Sequence, residues 1–291
     1  MSPAIFARNV AAISVFFLFT YLATSSKPAL MPMTSATRDT VSVIGEPEKS
    51  APDFRQLALE FPDSLLPFCR GVLTEKQIAL SFDACPTSGK NHFNKAVFKV
   101  LQQTKAPATI FLSGEWIVKD TSAIRLLASD TLIELANHSF THPHMTLLQQ
   151  GKIKEEITRT QDIISNLTGQ KSFLFRAPYG EYNDTLINIA RQLGLVTVQF
   201  DVESGDPDSS FTAERLVAWV TKEARNGSVI IMHINNRGWH TAEALPTIIQ
   251  DLRAKGFQLV KVSDLLKHSV EMRSGNLATV TTTDSLKTTR E

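Results

Sequence analysis

The chain is poor in the features that mark several large protein classes. Its 291 residues hold only two cysteines, Cys69 and Cys85, too few for a scaffold stapled by several disulfides. Lys and Arg number 30 against 29 Asp and Glu. That balance removes the electrostatic case for nucleic acid as a partner, and for an acidic tail or a polybasic membrane patch. No internal repeat and no long low-complexity run is present. The one extended apolar run, Val10 to Ala23, is short of the roughly 20 residues that span a bilayer. What is there is ordinary for a soluble globular protein: 43% hydrophobic and 20% charged residues. The length suits one large domain with tails or two small domains.

Arg8 precedes the apolar run and Ala23-Thr24-Ser25 follows it, the order of an export signal with a small-residue cleavage site. No charge falls between Arg8 and Lys27, so an uncleaved anchor is a second reading and a buried helix a third. The first two place the domain outside the cytoplasm, either periplasmic or extracellular, or tethered to a membrane. Export makes a bridge between Cys69 and Cys85 one reading; two separate buried thiols are the other. The expected organisation is a leader over 1–25, a linker and N-terminal extension over 26–75, a domain over 76–268 and a polar tail over 269–291. The linker is rich in Ser, Thr and Pro, and the tail has little to bury. No oligomer interface is legible.

Inside the domain, short apolar runs suited to buried strands alternate with helix-period segments. The runs are 77–82, 108–112, 131–137, 172–175, 196–200, 228–232 and 257–261; the helical segments are 93–103, 120–129, 152–168, 184–193, 213–225 and 242–255. Four helical segments stop at Gly169, Gly194, Gly227 or Gly256, as helix C-termini often do. This alternation predicts a parallel sheet, in a barrel or a doubly wound arrangement.

In such folds reactive groups lie beyond the carboxyl ends of the strands. Reactive residue types gather there. Asp83 follows the first run, His138 and His142 the third, Arg176 the fourth, Asp201 and Asp206 the fifth, and His233 the sixth. Asp201 is equally readable as a cap of the following turn. Two imidazoles four residues apart, in His138-Ser-Phe-Thr-His142, can face one metal ion. The adjacent Glu of the metalloprotease helix motif is missing.

Taken together, SFDACP (81–86), HSFTH (138–142), RAPYG (176–180), DVESGDPD (201–208) and IIMH (230–233) resemble, in order and spacing, the NodB-type polysaccharide deacetylases of carbohydrate esterase family 4. The resemblance covers about residues 76 to 268. It implies a distorted (β/α) barrel of about seven parallel strands, and hydrolytic removal of N-acyl groups from an acetylated glycan that is chitin-like, peptidoglycan or another envelope polymer. By resemblance, Asp83 is the general base and Arg176 the cation that holds it. His138 and His142 are ligands to a divalent metal, zinc or similar. Tyr179, after Pro178, offers a backbone N–H to the oxyanion. His233 is the general acid. Asp206 is read as the carboxylate that orients it, in a segment that departs from the family's usual D-x-x-D-W.

The pattern breaks at Ala84, where the family has an Asp that ligates the metal. Four accounts are open. The two histidines bind a metal weakly, with water or substrate; Asp83 becomes a ligand; Cys85 gives a thiolate; or no metal is bound. The retained histidines and acid–base set favour the first two. Two other functions compete with the leading one: a metal-independent amidohydrolase of small cyclic amides, and a non-catalytic carbohydrate-binding relative. Trp116, Tyr182 and Trp239 follow strands on the expected reactive face, where flat rings suit sugar C–H groups. Trp219 lies in a helical pattern and reads as core.

Overall fold

The computed structural model describes residues 66–72, 74–87 and 93–270. The expected leader (1–25), most of the linker region and the end of the tail lie outside these residues. No helix among the described residues is long and apolar enough to cross a membrane.

Among the described residues eight strands form one sheet: β1 (Gln77–Ala84), β2 (Ala108–Leu112), β3 (Ile133–Asn137), β4 (Leu174–Phe175), β5 (Val196–Thr197), β6 (Val202–Glu203), β7 (Val229–His233) and β8 (Gln258–Val260). Their order is β5-β4-β3-β2-β1-β7-β6, with β8 paired to the start of β1. Every pairing between these strands is parallel. The segment before β1 bridges the curl: Phe68 pairs with Val198 beyond β5, and Arg70 with Ser228 before β7. The result is the expected distorted (β/α) barrel.

Side-chain alternation explains the layers. On β1, Ile78, Leu80, Phe82 and Ala84 join the apolar cluster under the surrounding helices. Ala79, between them, joins a second cluster with Phe111, Ala136, Val198 and Val229 inside the barrel. Successive strand residues point to opposite faces, so Ser81 and Asp83 share the interior face with Ala79. The strand is buried on both faces, as parallel strands usually are, and its burial leaves only Gln77 partly exposed. On β7 the same alternation sends Ile230 and Met232 outward to the helices and puts His233 on the interior.

The helices are α1 (Lys95–Thr104), α2 (Gly114–Lys119), α3 (Thr121–Ala128), α4 (Gln150–Thr168), α5 (Asp184–Gln192), α6 (Ala213–Glu223) and α7 (Thr241–Ala254). On α4, Ile153, Ile157, Thr160 and Ile164 are the buried positions, a spacing of four, three and four that lines one helical face. The four punctuating glycines all have positive φ. At Gly227 a Cβ would lie 2.6 Å from the carbonyl oxygen of Gly71, so the crossing of these two backbone segments admits no side chain.

The fold departs from the sequence expectations at several elements. Helix α2 and strand β6 lie outside the segments that periodicity picks out, because six and two residues are too few for a period to register. Trp219, read as core, is 43% exposed and donates its indole N–H to the carbonyl of Glu203 at 2.8 Å. Its helical pattern is amphipathic, and Trp219 falls at the edge of the buried stripe formed by Ala213, Leu216 and Val220.

Candidate active site

The register of the sheet builds the site. Asp83 on β1 is the direct neighbour of His233 on β7 and of Phe111 on β2. Strand β3 ends at Asn137, and His138 follows at the same end. Asp83, Cys85, His138, His142, Tyr179, Asp206 and His233 all line one open pocket at the carboxyl ends of the strands, with Arg237 and Glu203 at its wall.

Arg176, wholly buried, donates from Nη1 to Asp83 Oδ1 at 2.7 Å and from Nη2 to Ser81 Oγ at 2.8 Å. Its guanidinium lies 3.9 Å over the ring of Phe111. Burial alone would raise the Asp83 pKa. The positive charges of His138, Arg176 and His233 outweigh it and hold the carboxyl below the ordinary carboxylate range.

Across the pocket, His233 Nδ1–H donates to Asp206 Oδ1 at 2.9 Å. Asp206 is fixed by further donors. Ser204 Oγ reaches Oδ1 at 3.1 Å, while Thr241 Oγ1 and the backbone N–H of His233 reach Oδ2 at 2.6 and 2.7 Å. Burial would depress the His233 pKa, but the bond to Asp206 and the nearby Cys85 and Asp206 charges raise it to about 10. Gly238 makes room for this bundle: a Cβ there would stand 2.3 Å from Thr241 Oγ1 and 2.9 Å from Asp206 Oδ2.

On the third wall, His138 Nδ1–H donates to the carbonyl of Arg176 at 2.8 Å. A carbonyl can only accept, so Nε2 is the nitrogen left to face the pocket, with a proton when the ring is charged and a lone pair when it is neutral. Nε2 is buried and has no hydrogen-bond partner; Asp83 Oδ2 lies 3.4 Å away. His142, at φ 59°, turns its ring to within 4.9 Å of the His138 ring. Cys85 Sγ and one nitrogen of each histidine lie within 4.8 Å of one another. An orphaned imidazole nitrogen among further donors suits a divalent metal, whose ligating histidines commonly donate the other nitrogen to a carbonyl.

Tyr179 stands at the rim with φ 59°. The residue is 52% exposed, and its ring stacks on His144 at 4.2 Å and meets His142 edge-on at 4.6 Å. Pro178, just before it, is buried. The aromatic expectations fare differently. Trp116 has no exposed surface and packs edge-on against Phe93 at 6.1 Å. It is a core residue under α2 and cannot touch a substrate, which corrects its assignment to the sugar surface. Trp239 and Tyr182 are 62% and 43% exposed, and neither lines the pocket.

Asp201 lies away from the pocket. It accepts from Val229 N at 2.9 Å, Ser228 Oγ at 3.1 Å and Arg225 Nε at 3.3 Å, with Arg70 at 3.9 Å, and so ties the start of β7 to the segment before β1. Neither of its sequence readings describes these contacts: Asp201 does not line the pocket, and its donors do not lie in the turn that follows it. Cys69 and Cys85 are free thiols; Cys69 Sγ donates to the carbonyl of Pro67. Sequence reasoning missed Ser204 and Thr241, which hold Asp206. No local pattern marks them, because their partner is reached only through the fold.

Comparison with known proteins agrees with this geometry. A family model described as polysaccharide deacetylase matches residues 70–198. A bifunctional xylanase/xylan deacetylase from Cellvibrio japonicus is 34% identical over 62% of this chain, and a peptidoglycan-N-acetylglucosamine deacetylase from Bacillus cereus is 27% identical over 70%. The match spans 26% of the former protein and 73% of the latter. Another curated relative, from Bacillus subtilis, is spanned over 54% of its length. Among solved structures, a family 4 carbohydrate esterase from Streptomyces lividans is 36% identical, with 66% of this chain and 92% of that one aligned at a TM-score of 0.56. A CE4 family pseudoenzyme from Bacillus anthracis is 26% identical, with 70% of each chain aligned at a TM-score of 0.64. With the strand-end motifs, the barrel and these likenesses in agreement, the chain belongs to the NodB-type polysaccharide deacetylases of carbohydrate esterase family 4.

Proposed function

We propose that this protein is a metal-assisted deacetylase that removes N-acetyl groups from an amino-sugar polymer or oligosaccharide outside the cytoplasm. The observation that carries the reading is the pairing, across one pocket, of a carboxylate held ionised by Arg176 with a histidine held protonated by Asp206. Amide hydrolysis needs both: a base for the attacking water, and an acid for the poor amine leaving group. Environments that push two titrating groups apart are the usual sign of such a division of labour.

In this reading Asp83 takes the proton of the water as it attacks the acyl carbon. Arg176 keeps Asp83 charged and fixes its Oδ1, leaving Oδ2 to face the pocket. The backbone N–H of Tyr179 steadies the developing oxyanion, a contribution that can reach several kcal/mol. His233 delivers its Nε2 proton to the departing amine, and Asp206 holds the ring so that this nitrogen faces the pocket. His138 and His142 would hold a divalent metal, which would supply a more acidic water and a polarised acyl oxygen. The exposed ring of Tyr179 offers a sugar an apolar face at the rim.

One observation favours a second reading, a non-catalytic glycan binder. Ala84 stands where the family has a metal-ligating carboxylate, and a structural neighbour is itself a pseudoenzyme. Acetate release from an N-acetylated glucosamine oligosaccharide, with and without a chelator, separates the two. Release that stops with chelator supports the deacetylase. Glycan binding with no release in excess metal supports the binder, and release indifferent to chelator supports a metal-independent amidohydrolase.

A further inference from the structure

We propose that Cys85 is the third protein ligand of the metal seat, so that a thiolate from the next residue along the chain replaces the carboxylate missing at Ala84. The proposal deepens the metal-assisted reading and rests on it.

Strand alternation supplies the first argument. Ala84 points away from the pocket, into the cluster of Leu80, Phe82, Ile110 and Leu112 beneath the helices, and does not line the pocket. Cys85, one residue further on, turns back to the face of Asp83 and does line it. At this strand end position 85 therefore presents a side chain to the histidines, and position 84 does not. The Cys85 backbone is held there by Asn235 Nδ2, which donates to its carbonyl at 2.6 Å.

The second argument is the donor set. Sγ of Cys85 and one ring nitrogen each of His138 and His142 form a cluster within 4.8 Å, and all three residues are buried. His138 Nε2 is the orphan in this cluster: a buried nitrogen with no hydrogen-bond partner, whose other ring nitrogen is already committed to the Arg176 carbonyl. Two imidazoles and a thiolate with a fourth position open to the pocket give three nitrogen and sulfur donors, the ligand number of a catalytic zinc site. Sulfur and nitrogen donors favour zinc or cobalt(II) over magnesium or calcium, which take oxygen ligands. The sulfur contributes one negative charge, as the lost carboxylate would. Metal takes the deprotonated sulfur, the form in which a cysteine ligates. Asp83, clamped through Oδ1 by Arg176, is then left free to act as base.

The test uses the full chain, stripped of metal and loaded with zinc for X-ray absorption or cobalt(II) for optical spectra. Zinc bound as proposed gives one sulfur scatterer at about 2.3 Å beside nitrogen and oxygen at about 2.0–2.1 Å. Cobalt(II) gives thiolate-to-metal charge-transfer absorption in the near ultraviolet. Cys85→Ser removes both sulfur signatures and weakens zinc binding by at least about 10-fold; Cys69→Ser changes neither. A zinc shell with no sulfur, undiminished affinity in Cys85→Ser, or no metal binding by the wild type overturns the proposal. The wild-type spectrum decides the matter even if Cys85→Ser does not fold. Acetate release is followed separately. Metal-dependent turnover without the sulfur signature sinks only the Cys85 assignment, and the signature without turnover on any acetylated glycan sinks only the deacetylase reading.

Discussion

Arg176 Nη1 sits 2.7 Å from Asp83 Oδ1 although 93 residues separate the two in sequence, and both side chains are buried. Breaking such a pair by removing one partner typically costs about 3–5 kcal/mol, because the other charge is left stranded. Asp83→Ala should therefore lower stability in denaturant titrations as well as activity. Asp83→Asn, which keeps an acceptor for Arg176, should lose less stability but still lower kcat by about 100-fold or more. Equal stability of wild type and Asp83→Ala would show that the pair does not carry charge in the folded protein.

The acid and base set opposite limbs of the pH profile. Asp83 is depressed, so the base stays ionised to well below neutrality. His233 is raised to about 10, so the acid stays protonated until the pH passes about 10 and activity then falls. Asp206→Asn removes the larger of the influences that raise His233, and the alkaline limb should move down toward neutrality. Linkage gives a matching sign for stability. A raised folded-state pKa means that the contribution of this pair is complete below the ordinary histidine value and is lost as pH rises through about 10. The difference in Tm between wild type and Asp206→Asn should shrink over that window. A limb that does not move in Asp206→Asn removes Asp206 from its positioning role.

Ala84 faces the apolar layer between sheet and helices, so Ala84→Asp should not rebuild a metal ligand. It should bury a carboxylate among hydrocarbon side chains, at a cost of several kcal/mol, with no gain in zinc affinity. Tighter zinc binding in a stably folded Ala84→Asp would mean that the end of β1 can turn its side chain to the pocket.

Trp116 tests the corrected aromatic assignment. Fully buried against Phe93, it should behave as core: Trp116→Ala should cost about 3–5 kcal/mol. Trp116→Phe should be milder and leave KM unchanged. Tyr179→Ala should do the reverse, raising KM with little loss of stability, because its ring is at the rim. A raised KM in Trp116→Phe at unchanged stability would return that residue to the substrate surface.

Much of this architecture was legible because its signals are local. Runs such as ATIFL and VIIMH, buried along most or all of their length, announce interior parallel strands, and reactive residues just past them are placed by the fold rule alone. Asp83, His138, His142, Arg176, Asp206 and His233 were all visible in this way. What stayed hidden depends on facing and distance. The two-residue strand β6 carries no period, so Asp201 and Asp206 read as one cluster although the first ties down the base of β7 and the second enters the pocket. Trp116 follows a strand end just as Tyr179 does, but α2 turns its ring into the core. The opposite facing of Ala84 and Cys85 appears only once β1 is known to run through Ala84.

The most direct test of the account is acetate release from an N-acetylated glucosamine oligosaccharide by the full chain, stripped of metal and then titrated with zinc, beside His138→Ala treated identically. The account predicts no release by the stripped protein, recovery as zinc is restored, and no recovery in His138→Ala. Full release by the stripped protein, or equal recovery in the His138→Ala variant, would contradict it.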